Sequence, residues 1–81
     1  MNMGKQIVVI DNGFVHVGDC SRLKTGDLRI DNCQNIRVWG TTKGIGELAS
    51  GKQKNTVSDP CGVVIVPKSR VVFFIEVTGG W

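Results

Sequence analysis

Apolar residues in this chain recur with period two or gather in short runs, and the 3.6-residue period of a helix is almost absent. That pattern commits the chain to strands. Lys5–Ile10 reads as a strand, and Asp11-Asn12-Gly13 as a turn, because Asn and Gly tolerate positive φ. Phe14–Asp19 is the expected return strand. Ser21–Gly26 is polar and reads as a connection. Asp27–Asp31 alternates, with Leu28 and Ile30 on one side and Arg29 on the other. Asn32–Asn35 is expected to turn, and Ile36–Trp39 alternates again, with Ile36 and Val38 inward and Arg37 and Trp39 outward.

From Gly40 to Asp59 the pattern breaks, with glycines at 40, 44, 46 and 51. Within this loop Ile45–Ser50 is expected to form one or two helical turns, ended by Gly51. Asp59-Pro60-Cys61-Gly62 carries a type I turn signature. Val63–Val66 is the next strand, Pro67-Lys68-Ser69 a turn, and Arg70–Val77 the last strand. The expected fold is mostly all-β: a small antiparallel barrel or sandwich of about six short strands, with one short helix in a long Gly-rich loop.

The chain has 81 residues, enough for a single β domain over 1–81, and a domain this small has a thin core. Its 41% hydrophobic and 21% charged residues fit a globular chain and exclude a disordered one. The longest apolar run falls far short of the ~20 residues of a membrane helix. Behind Met1–Lys5 there is no apolar segment of a signal peptide. Cys20, Cys33 and Cys61 are an odd set without close spacing, so free thiols in a reducing, cytoplasmic setting are expected. With His16 the single histidine, no metal ligand set and no cofactor is expected.

Ile7–Ile10, Val63–Val66 and Val71–Ile75 are apolar without alternation. A strand apolar on both faces needs cover on both. One small core hardly supplies it three times, so the expectation is a homo-oligomer. The alternative is that the 40–59 loop and its short helix fold over the outer face.

The candidate binding segment is Arg37, Trp39, Gly40, Thr41, Thr42, Lys43 and Gly44, with Arg29 a fainter addition. Glycines admit close approach of a ligand to the backbone, successive N–H groups cradle an anion, and Trp beside Arg can stack a base while the arginine meets phosphate. Lys43 precedes Gly44, so this is not a Walker loop, and the glycine spacing is not the dinucleotide fingerprint. The plainer reading is a connection whose glycines serve its turns and whose Trp39 packs at a subunit contact. Catalysis is not expected. His16, on the outer face if Val15 and Val17 point inward, has no evident partner, and Cys61, Glu47 and Asp59 lack a supporting spacing. Trp81 reads as a tail that docks on a neighbour or frays. The net charge of +3 permits a phosphate-bearing partner without requiring one.

The stretch Arg37–Ala49, with Val8–Val15 before it and Asp59-Pro60-Cys61-Gly62 after it, resembles small proteins of phage and bacterial genomes that carry no assigned function. The resemblance covers most of the chain. It implies an accessory phage gene working inside a bacterial host cell. By analogy with other small phage proteins, the first expectation is a non-catalytic homo-oligomer that sequesters a small phosphate-bearing signal nucleotide of host immunity. A protein-interaction module, as inhibitor of a host defence protein or minor structural protein, is the alternative. A small-barrel binder of single-stranded nucleic acid is the third.

Overall fold

The computed structural model describes residues 2–81. The fold is all-β and antiparallel, as the sequence pattern requires. Five strands form one sheet: β1 (Asn2–Ile10), β2 (Val15–Arg22), β3 (Leu28–Val38), β4 (Val57–Val66) and β5 (Val71–Glu76), in the order β4-β3-β2-β1-β5. Two short 3-10 turns lie between them, η1 (Ile45–Ser50) after β3 and η2 (Lys68–Arg70) after β4. No helix among the described residues is long and apolar enough to cross a membrane.

Five strands replace the expected six because the turn expected at Asn32–Asn35 is a bulge inside one long β3. The turn expected at Asp59–Gly62 is likewise inside β4, which therefore begins at Val57, within the expected 40–59 loop. Asn32, at φ 50, sits within β3 where the β2–β3 register shifts, and its amide donates to Asp19 Oδ2 (3.1 Å). Asp59-Pro60-Cys61-Gly62 lies within β4, with Gly62 at φ 73. Turn and bulge ask for the same local chemistry, a residue that accepts positive φ. The pairing partner decides between them, and here β3 holds β4 along its length, from Leu28↔Val66 to Val38↔Val57. Pro60 is tolerated because β4 is an edge strand.

These bulges line up. The register shifts at Asn2/Gly4 in β1, at Val17/Asp19 in β2 and at Ile30/Cys33 in β3 fall on neighbouring strands, so a crease runs across the sheet. The connection after β4 shows how far the sheet folds there. Val66 pairs with Leu28 at one end of the strands, whereas Val71 pairs with Ile10 at the other. In a flat sheet those two residues would stand about 30 Å apart. Five residues of chain reach at most about 17 Å. The sheet therefore coils until the end of β4 reaches the end of β1. Around η2, Asp11 N–H donates to Arg70 O (2.9 Å) and Lys68 N–H donates to the Asp27 carboxylate (3.0 Å).

Coiling gives the domain two cores on opposite faces. Val8, Cys20, Leu28, Ile30, Cys33 and Val66 fill the inside of the fold, with Val71 and Phe74 packed against them. Ile7, Val15, Val17, Ile36 and Leu48 fill the other face. Leu48 comes from η1 and is fully buried, worth about 1.5–3 kcal/mol relative to exposure. The last residues return over η1. Thr78 N–H donates to Ala49 O (2.8 Å), and Trp81 Nε1–H donates to Leu48 O (2.8 Å). Trp81 thus docks on its own chain. β1 is covered on both faces by this arrangement, which was the alternative to an oligomer for Ile7–Ile10.

Candidate functional site

Three surfaces bear on function: the 39–56 connection, a cluster across β2, β3 and β4, and the outer rows of the edge strands.

The connection is tied at its base by Thr56, whose hydroxyl donates to Trp39 O (2.6 Å) and accepts Gln53 N–H (2.9 Å). Gly40 takes φ 66 and lies so close to the Asn55–Thr56 backbone that a side chain there would run into it. This glycine serves a close backbone approach within the loop itself. Gly44, at φ 98, precedes η1, and its carbonyl accepts Glu47 N–H (3.2 Å).

The donors proposed for an anion already converge on one. Thr42 Oγ1–H (3.2 Å) and Lys43 N–H (3.0 Å) both donate to Glu47 Oε2. Arg37 is paired as well, its Nε 3.0 Å from Asp59 Oδ2, with both side chains exposed. Trp39 is 42% exposed, and Thr41 is half-buried. Val38, expected inward, is 47% exposed, and its cross-strand partner Val57 is exposed in part, at 37%. Arg29 does not join this segment. It lies roughly 25 Å along the same strand from Arg37, and it pairs with Asp31 (3.1 Å).

The second cluster was not legible in the sequence. One ring nitrogen of His16 and the sulfurs of Cys33 and Cys61 all lie within 4.8 Å of one another. They come from three neighbouring strands: His16 opposes Asn35 on β3, and Cys33 opposes Gly62, the residue after Cys61. The Cys61 thiol reaches Cys33 O at 3.3 Å, and all three cysteines are free. His16 was expected on an outer face. It is instead half-buried, because the coiled sheet covers both of its faces. His16 Nδ1 and Asn35 Oδ1 are buried with no hydrogen-bond partner. Burial holds the His16 ring below the usual imidazole range and pushes the Cys33 thiol up, with the Cys61 thiol beside it adding to that rise. The buried Cys20 thiol is raised to about 11, chiefly by burial.

The third surface is apolar. β4 and β5 are the two sheet edges, and their outward residues Val63 (53%), Ile65 (56%), Val72 (56%) and Phe73 (45%) are open to solvent.

No protein-family model matches the chain, and no curated protein matches it.

Proposed function

We propose that this domain is a non-catalytic binding module that works by protein contact, first with further copies of itself. One observation carries the reading: the strands that expose apolar rows are the same strands whose outer edges are unpaired. An unpaired edge offers backbone groups to a new strand, and an apolar row gives the new contact a hydrophobic gain. Monomeric proteins usually blunt such edges with charge. Here Asp59, Pro60 and the Gly62 bulge blunt the first part of β4, but Val63–Val66 carries no charge, and within β5 Glu76 is the single charge, at its end. In the setting implied by the resemblance, a phage gene acting in a bacterial cytoplasm, such a module would cap a host protein or join a particle.

A nucleotide-sequestering oligomer is the second reading, and the Thr42–Lys43 geometry favours it. Two donors aimed at one carboxylate oxygen suit a phosphate oxygen equally, provided Glu47 swings away. On this reading Arg37 and Lys43 meet phosphate and Trp39 stacks the base. Glu47→Gln should then strengthen nucleotide binding, and Trp39→Ala should weaken it by about 1–3 kcal/mol. A single-stranded nucleic-acid binder would instead show affinity falling steeply with salt.

Native mass spectrometry of protein purified from bacterial cells, followed by denaturation and small-molecule analysis, separates the readings. Ligand-free oligomers support protein contact. A retained nucleotide lost in Trp39→Ala supports the second reading and overturns the first.

A further inference from the structure

We propose that His16, Cys33 and Cys61 form a binding site for a soft divalent cation of the zinc class. Two thiols and one imidazole are a donor set that such ions prefer. Around a tetrahedral ion with bonds of about 2.3 Å to sulfur and 2.0 Å to nitrogen, ligand atoms stand about 3.5–3.8 Å apart. The three donors here already lie within 4.8 Å of one another, so small rotamer adjustments close the set.

A second, independent observation points to a missing ligand. His16 Nδ1 and Asn35 Oδ1, on residues paired across β2 and β3, are buried and unpartnered. Leaving buried polar atoms unsatisfied costs about 1–3 kcal/mol each. That cost is removed if a ring nitrogen binds an ion and the other ring N–H and the amide oxygen are drawn into the surrounding hydrogen bonds. Directly opposed residues of an antiparallel pair share one sheet face, so His16 and Asn35 sit together.

Access and chemistry agree with this. Cys61 is on the exposed edge strand, and Cys33 lines a cleft of about 450 Å³ with Asn32, Gln34, Pro60 and Gly62. An ion can enter from that side and keep a fourth position for water or Asn35. Each thiol that binds does so as thiolate and releases its proton to the solvent, whereas the imidazole binds through its neutral nitrogen. Cys20 takes no part and belongs to the inner core.

The test is titration of the fully reduced chain with Co²⁺, read by the thiolate-to-metal charge-transfer band and the tetrahedral ligand-field absorption. Zn²⁺ is then added to displace the cobalt. The expected result is one Co²⁺ per chain, displaced by one Zn²⁺. Cys61→Ser should weaken binding by more than about 100-fold and remove part of the charge-transfer intensity, since loss of even an outer partner costs 10–100-fold. His16→Gln should weaken it while keeping both thiolate contributions. Cys20→Ala should bind normally. Because Cys33 is a core residue, the exposed Cys61 carries the test, with circular dichroism confirming that its variant is folded. No charge-transfer band in the wild type, or a band unchanged in Cys61→Ser, overturns the proposal.

Discussion

The central strand β1 and the edge strands β4 and β5 carry the same kind of sequence and meet different fates. Ile7–Ile10, Val63–Val66 and Val71–Ile75 are all apolar without alternation. Ile7 and Val8 of β1 are fully buried on opposite faces, one under η1 and the C-terminal residues, the other inside the coiled sheet. Val63, Ile65, Val72 and Phe73 are each about half exposed or more. The difference is position. One short turn and four closing residues can cover the middle of a small sheet, but they do not reach its edges. An apolar run on both faces is thus necessary for a two-sided core, and cover depends on which neighbours the topology supplies.

The largest way to break the contrast is to remove the cover over β1. Leu48→Ala empties a fully buried site of the outer core and should cost about 2–5 kcal/mol, read as a shift of the urea unfolding midpoint. Trp81→Ala removes the indole and its bond to Leu48 O and should cost about 2 kcal/mol, with Leu48 losing its outer lid. Arg37→Ala breaks an exposed ion pair with Asp59 beside the free edge and should change stability by less than about 1 kcal/mol. The smallest effect is a pH dependence at the β4–β5 connection. Lys68 N–H and the Thr25 hydroxyl hold the Asp27 carboxyl below its usual range. A group depressed in the folded state stabilises above its unfolded pKa, near 3.8, and loses that contribution as pH falls through the folded value. Asp27→Asn should flatten the acid limb of the stability profile, checked by unfolding at a series of pH values.

Strand positions were legible wherever local pattern and final pairing agree, as for β1, most of β2, the two ends of β3, the second half of β4 and β5. Ser21 and Arg22, read as part of a polar connection, instead continue β2 because β3 pairs with them. Turns were legible only where the chain truly reverses. Asp11-Asn12-Gly13 does so, with Gly13 N–H on Ile10 O (3.0 Å). Asn32 and Gly62 use the same positive φ inside ladders, and only partners on other strands distinguish the cases. The helical turn over Ile45–Ser50 and its stop at Gly51 followed from composition. In the candidate segment the sequence placed the donors Thr42 and Lys43 on an exposed loop, where the structure has them. It did not show that Glu47, a few residues on, lies against them, because a six-residue turn brings it back. The His16–Cys33–Cys61 cluster left no spacing signal at all. Its members are joined by the registers of β2 with β3 and β3 with β4, which arise from long-range pairing.

Self-association through the edges is the central claim, and sedimentation velocity over a range of concentrations tests it most directly, comparing the wild type with an Ile65→Asp/Phe73→Asp double variant. Both positions are already solvent-exposed, so the variant should keep its circular dichroism and unfold within about 0.5 kcal/mol of the isolated wild-type subunit. The predicted result is a wild type that sediments as a dimer or larger species and a variant that sediments as a folded monomer. A wild type that stays monomeric at every concentration, or an oligomer that the two aspartates leave intact, would contradict the account.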